Sequence, residues 1–464
     1  MSIAVRSASH DRSPCCSHAN FMHTPVFSRR KTFVLPLAWA SAGQLLTSAC
    51  DARPATSLTP EDFGATSYTT REAAKRGVDA TAAVQRMADE AARRGIGCGG
   101  AAGRWYATST VDWPSGSTVT SLNLLTRSGM IDAAPFTIEA VHEPRRDLSF
   151  TDCMVDGNRQ GQHDLRSSGG DGRRCGWLLS GHFPGAIQGI TLTRCRAWNC
   201  ATDGFMTWCN GVEQRENADY FFGNIKLIDC DFQWNGRHGG SLMGVDGFHM
   251  QGGRLKNNGK DLAMTKAPIR SNGTWARVIG SGVGTRRYGR PWDCESSLPG
   301  EGYQNVTFSD VDMRDNVGGL LFHHYFYAGG RLARRLRIHN CLLSDPEGQT
   351  TGDGALLFYA VDARTGRPFD RQVIAFDEIE AIDNQYERQG VAVYSADHVI
   401  VAGGRATMTG PGFWGYYATL NRCGGNVRID VPSNRYRIWK VDQTGQGLID
   451  GRFSSGRTAS SASS

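Results

Sequence analysis

Three ionisable residues recur at one offset from a repeated strand phrase. Asp203, His238 and Asp261 each stand thirteen residues after a phrase start, at Ile190, Ile225 and Phe248. Set on successive coils, they would lie roughly 5 Å apart. Crowding of that kind drives pKa values apart, so one group can hold a proton while another stays charged. That is general acid–base chemistry. A second group spans 245–270, with Asp246, His249, Lys260, Lys266 and Arg270. In it His249 and Lys266, like His238, are candidate bases, and Arg270, like Arg237, is a candidate to neutralise an anion. Asp203, Asp246 and Asp261 could alternatively supply a carboxylate pair. A third group is a stripe: Trp208, His323, Phe358 and Tyr394 each stand four residues after a Gly. Alternation along a strand points these four outward, where rings offer apolar faces with polar edges. Each group also has a plain structural reading. Asp beside Gly makes turns, a basic loop can simply be solvated, and outward rings can pack beneath a loop.

The elements that would position these residues are legible as repeats. Ile190-Thr-Leu-Thr-Arg-Cys195, Ile225-Lys-Leu-Ile-Asp-Cys230, Val306-Thr-Phe-Ser-Asp-Val311 and Leu336-Arg-Ile-His-Asn-Cys341 share one pattern, and Leu148-Ser-Phe-Thr-Asp-Cys153 precedes them. Looser copies start at Phe248, Val373, Val399 and Val427. The shortest interval, from 225 to 248, is 23 residues and the longest, from 248 to 306, is 58. Repetition at this scale means stacked units, none of which buries its own face alone. The expected fold class is all-β: a parallel β-helix, with 23 residues close to one bare coil and a large insertion in the longest interval. Equivalent residues then form ladders. Cys195, Cys230 and Cys341 would stack inward, and Asn158, Asn199, Asn235, Asn258 and Asn316 would form a turn ladder. The 57 Gly residues suit a fold of many tight turns. One helical pattern stands out over 80–94, with Val84, Met87, Ala88 and Ala91 on one face and Asp79 placed to cap it.

The start of the folded region adds a family resemblance. Glu61-Asp62-Phe63-Gly64-Ala65 precedes Asp79-Ala-Thr-Ala-Ala-Val-Gln85, a Gly-rich stretch over 95–103, then Arg104-Trp105-Tyr106 and Ser115-Gly-Ser-Thr-Val119. This order resembles the opening of the pectate-lyase-like, right-handed parallel β-helix superfamily. There a DFGA strand, a short capping helix and a G-x-Y strand lead into the solenoid. Two departures are visible: Ser67 through Val78 replaces the usual Gly-Asp-Gly-x-x-Asp-Asp run, and Ala101-Ala102-Gly103 replaces Pro-x-Gly. Ala201-Thr-Asp-Gly-Phe205 is similar to the polygalacturonase phrase Asn-Thr-Asp-Gly-Phe without its Asn, and Arg237-His238-Gly-Gly-Ser241 is similar to its Gly-His-Gly region. The resemblance implies carbohydrate polymers as ligands. Fold alone does not choose among lyases, hydrolases, epimerases and tailspikes.

The ends read as address and tail. Ser28-Arg29-Arg30-Lys31-Thr32-Phe33 resembles a twin-arginine export signal, and Leu46-Thr-Ser-Ala-Cys50 a lipoprotein cleavage site with Cys50 as the lipidated residue. The expected organisation is an export signal over 1–50, an N-terminal cap over 51–120, the solenoid over 121–453 and a Ser-rich disordered tail over 454–464. Periplasmic or secreted placement follows, with a lipid anchor as the variant. Thirteen Cys suit disulfides in an exported chain, yet several fall at inward strand positions, where a thiol is a small hydrophobe. Structural thiols are expected, with Cys200–Cys209 as the candidate exception.

Net charge is +6, from 51 Lys and Arg against 45 Asp and Glu. Basic residues gather at Arg286-Arg287, Arg290, Arg331, Arg334, Arg335 and Arg337, without a nucleic-acid-binding motif. A polyanionic polysaccharide is the expected partner. The functional expectation is an exported polysaccharide lyase acting by β-elimination. The alternatives are a hydrolase or epimerase on the same fold, or a non-catalytic glycan-binding or exopolysaccharide-assembly protein. No cofactor is called for, Ca2+ being left open, as is a homotrimer.

Overall fold

The computed structural model describes 57–130, 133–162, 174–210, 219–259, 289–296, 301–326, 330–344, 354–365, 373–387, 390–407, 416–423, 426–430 and 437–442. The signal-like segment with Cys50, Lys260, Asp261, Lys266, Arg270 and the Ser-rich tail lie outside these residues.

Each coil makes three strands. In the most compact coil these are Phe222–Ile228, Asp231–Gln233 and Gly240–Leu242, after which Val245–Gln251 opens the next. Like strands from successive coils pair in parallel, giving one sheet of eleven strands, one of ten, and short-strand sheets of five and four among the described residues. The repeated phrases lie in strict register: Leu148, Ile190, Ile225, Phe248, Val306 and Leu336 are successive partners in the eleven-stranded sheet. One expected phrase is displaced. The partner of Leu336 is Ile379, so the phrase starts there and not at Val373. The apolar alternation of Val373 onward imitates the pattern six residues early.

Three turns bend each coil, and two of them carry regular residue patterns. Between the long and short strands one residue adopts left-handed geometry: Asp152, Arg194, Asp229, Asp310, Asn340 and Asp383 all have φ between 52° and 58°. Asp and Asn tolerate that region better than most residues, which explains their recurrence in the phrase. The next residue points inward. Cys153, Cys195 and Cys230 stack there, and Cys341 occupies the same position on a later coil, all fully buried. The Cys195 and Cys230 thiols donate to the carbonyls of Phe150 and Leu192 on the preceding coils. All ten described cysteines are free thiols, Cys200 and Cys209 included.

The second turn carries the amide ladder. Asn235 Nδ2 donates to Asn258 Oδ1 at 3.1 Å, and Asn258 Nδ2 to Asn316 Oδ1 at 2.9 Å. Asn199 belongs one residue earlier than expected. It takes the left-handed corner (φ 56°), and its amide reaches Asp156 and Gln160 instead. Cys200 stands at the ladder position on that coil, its backbone N–H donating to Asn235 Oδ1.

Aromatic stacks fill the interior. Phe136 and Trp177 lie face to face at 4.0 Å, and Trp292 packs edge-on against Phe248 at 5.1 Å. The N-terminal end is closed by the helix Thr81–Arg94, whose Val84, Met87, Ala88 and Ala91 are buried in the same core. The N-cap position is Ala80, which gives no side-chain cap; Asp79, one residue earlier than a cap would stand, accepts the backbone N–H of Thr81. The Asp-Phe-Gly-Ala segment, by contrast, is not a strand. Pro60–Phe63 is a 3-10 turn, with Asp62 accepting the Thr59 N–H at its start and Gly64 (φ 87°) ending it. No helix among the described residues is long and apolar enough to cross a membrane.

The basic run at 331–337 is largely neutralised from neighbouring segments. Arg335 pairs with Glu378, Arg337 with Glu380 and Arg331 with Asp219.

Candidate active site

Asp203 and His238 precede the third strands of their coils by two residues. Phe205 pairs with Gly240 and Gly240 with Trp292, so the row runs Asp203, His238, Arg290. Arg290 therefore takes the place expected of Asp261. Counting thirteen from Phe248 assumes a bare coil, but the long insertion enters that coil before its third strand, Trp292–Ser296.

Asp203 is fully buried and fully bonded. Arg237 holds it through Nε (2.9 Å) and Nη2 (2.6 Å), the backbone N–H of His238 donates to Oδ1, and Ser241 Oγ donates to Oδ2. Burial alone would raise its pKa, but the Arg237 charge and these donors override it and hold the carboxyl below its ordinary value. His238 is equally committed. Its Nδ1 accepts the backbone N–H of Arg290 at 3.1 Å, which leaves the proton on Nε2, 3.2 Å from Asp293 Oδ2. Asp203 ties Arg237 and His238 together, and His238 orients Asp293.

Asp293 is the member with capacity to spare. Burial opposes its charge, yet the His238 contact and the Arg290 and Arg237 charges hold its pKa well below the usual carboxylate range. Its second oxygen, Oδ1, is buried and has no hydrogen-bond partner among the described residues. Asp293 and Glu295 alternate with buried Trp292 and Cys294, so both point out of the coil. The next strand continues the surface: Glu295 pairs with His323, and His323 with Tyr359. His323 is half-buried, and burial lowers its pKa, favouring the uncharged imidazole. Its ring lies 5.0 Å from Tyr325 and 5.7 Å from Tyr359. His324, beside it, points inward and donates through Nε2 to the Arg331 carbonyl, 3.1 Å away.

The outward stripe is corrected at one position. Phe358 is buried and stacks on Phe322 at 4.7 Å. Leu320 pairs with Leu356, so the counterpart of Gly319 is Ala355 and counting from Gly354 slips by one. A slip of one residue exchanges the two faces. The outward ring on that coil is Tyr359, which leads to Tyr394 at 5.9 Å. Trp208 also faces outward, its Nε1 donating to Asn210, but three strands away from His323.

Asp246 and His249 do not join this surface. Both lie on Val245–Gln251 in the eleven-stranded sheet, where Asp246 accepts Asn305 Nδ2 at 2.6 Å and His249 is exposed beside Ser309. Lys266 and Arg270 fall outside the described residues. The expected loop cluster is thus divided between a second sheet and the insertion.

No protein-family profile matches the chain, and no curated protein sequence matches it. Solved structures do. The A-module of a mannuronan C-5 epimerase from Azotobacter vinelandii superposes with a TM-score of 0.51 over 83% of this chain and 95% of that one, at 12% identity. The chain is a parallel β-helix protein. PfbA, a surface adhesin of Streptococcus pneumoniae, is similar over 83% of this chain and 96% of that one, at 11% identity and a TM-score of 0.45. The pectate-lyase-like resemblance of the N-terminal motifs agrees with this fold.

Among the described residues of this β-helix, no group of three or more His, Cys, Asp or Glu is placed to hold a metal ion. Sequence reasoning missed Asp293, Glu295, Arg290 and Tyr359. The first two had a readable signal: Trp292-Asp-Cys-Glu-Ser296 is an alternating strand with both carboxylates on one side.

Proposed function

We propose that this β-helix cleaves an acidic polysaccharide by β-elimination on the outer face of its ten-stranded sheet. The observation that carries the reading is His323: an imidazole kept uncharged by burial, on an open strand face between the Glu295 carboxylate and the Tyr359 ring. An uncharged imidazole can accept the proton on the carbon beside a sugar carboxylate. The C–H pair moves to form the ring double bond as the glycosidic C–O bond breaks. The leaving oxygen is protonated in turn, by the new imidazolium or by a tyrosine of the same column. Arg290 and Arg237 place positive charge at the edge of this face, where a substrate carboxylate would gather charge in the transition state. Asp203 and His238 act as positioning residues for Asp293 and Arg237. The export-signal and lipidation readings extend the proposal to an envelope or secreted location.

The test is incubation with a panel of polyuronides, following the ultraviolet absorbance of the unsaturated product. The parent should produce it, and His323→Ala should reduce the rate by at least about a hundredfold. New reducing ends without the absorbance mean hydrolysis. Inverted sugar configuration without chain cleavage means epimerisation, which shares the proton-abstraction step. Binding with no product from the parent supports a glycan-binding protein, a reading favoured by one fact: Asp203 and His238 have no free hydrogen-bonding capacity.

A further inference from the structure

A groove of about 430 Å³ runs along the outer side of the five-stranded short sheet, away from the surface just described. Three tryptophans, Trp105, Trp198 and Trp234, and three arginines, Arg71, Arg196 and Arg254, line it. It follows one ladder, Trp105, Asn123, Met154, Arg196, Asp231, Arg254, of which all but Asn123 line it. At about 4.8 Å per coil these six positions extend roughly 24 Å, long enough for several sugar rings in a row.

Three features of the groove point to an anionic sugar chain. The Arg71 guanidinium lies 4.2 Å from the Trp198 ring centre and 3.2 Å from the buried Asp156 carboxylate, making one fixed wall. Arg254 grips Asp231 through two bonds, while Arg196 stands 3.9 Å from it with more than half its side chain exposed. Three guanidinium groups therefore face two carboxylates, and the groove is net positive. The third feature is Trp234. It occupies the left-handed corner of its coil at φ 58°, where neighbouring coils carry Asn199, Asn257 and Asp315. A bulky side chain there is a conformational outlier, and such strain concentrates where a side chain is used. The strain sets an indole at the rim of the groove.

We propose that this groove is a second binding site for an acidic glycan, taking sugar faces on Trp234 and uronate carboxylates on Arg196 and Arg254. It does not depend on the catalytic reading. Aromatic faces suit pyranose rings, and Asp231 and Gln233 offer hydrogen-bonding groups for hydroxyls.

The decisive variant is Trp234→Asn in the full chain. Asn is the residue neighbouring coils use at this corner, so the change removes the ring while relieving strain. Binding of oligomannuronate, oligoguluronate and oligogalacturonate is measured by calorimetry. Expected are a raised melting temperature together with a roughly fivefold or greater loss of affinity for whichever oligomer binds. Arg196→Ala with Arg254→Ala should weaken binding and flatten its salt dependence. The Trp234→Asn and double arginine effects should persist in a His323→Ala background that stops turnover, which separates this site from the catalytic one. The proposal is overturned if none of the oligouronates binds, if Trp234→Asn and the double arginine variant bind unchanged, or if a neutral glucan or an RNA oligomer binds better.

Discussion

Single residues divide here into those that are spent and those that are available. Asp203 accepts four hydrogen bonds, so an amide in its place removes the charge facing Arg237 and sets an NH2 against groups that donate. Asp203→Asn should destabilise the fold by about 3 kcal/mol, read as a drop in the denaturant midpoint at constant slope. The pH dependence has two parts. His324 is buried and pushed down to about 4 from an ordinary 6.5. The unfolded chain binds its proton first, so this contribution is whole above about pH 6.5 and fades as pH falls toward 4, by about 3 kcal/mol in total. Asp203 and Asp293 are held below their unfolded values. Their contribution is present above about pH 4 and is lost only at lower pH. Thermal melts from pH 8 down to 4 should show the first loss, and His324→Phe should flatten it.

At the scale of elements, the turns set which residues become neighbours. Gly240 shows how little room the coil leaves: a Cβ there would stand 2.1 Å from the Trp292 ring. Gly240→Ala should cost about 1–3 kcal/mol and disturb the strand that carries Asp293 and Glu295. The amide ladder makes a parallel case, since Asn258→Ala would orphan groups on both adjacent coils. These contacts also explain what could be read in advance. The phrase, the inward thiols and the helix over 80–94 are local patterns, and apart from the phrase copy displaced from Val373 to Ile379 each is found where its spacing puts it. The Asp203–His238 neighbourhood was legible because no insertion separates the relevant strands. Asp261 and Phe358 were not, because spacing counts residues whereas pairing counts coils. The insertion moved Arg290 into the third place, and Gly354 stands one position before the counterpart of Gly319, so Tyr359 is the outward ring.

At the scale of the whole molecule, one continuous core stands in for covalent staples among the described residues. Burial raises the thiol pKa of Cys98 and Cys341 to about 12 and pushes up those of Cys175, Cys195, Cys200, Cys209, Cys230 and Cys294 as well. Thiolates are the reactive form. The ten described cysteines should therefore resist a thiol-specific reagent in the native chain and react together once denaturant opens it. Partial, stepwise reaction would mean that the coils open separately. Position in the molecule also decides chemistry: the face carrying His323 and the tryptophan groove belong to different sheets and share only some of their coils, so one chain presents two separately alterable surfaces.

The strict pairing of each coil with only its two neighbours has a mechanical corollary. Pulled from its ends, a stack of this kind would surrender length in quanta rather than in one collapse. The coil from 225 to 248 would pay out roughly 80 Å of slack chain, and the one holding the insertion more than twice that, at about 3.4 Å per residue. A force trace would thus spell out the order of the coils as a bar code of unequal steps.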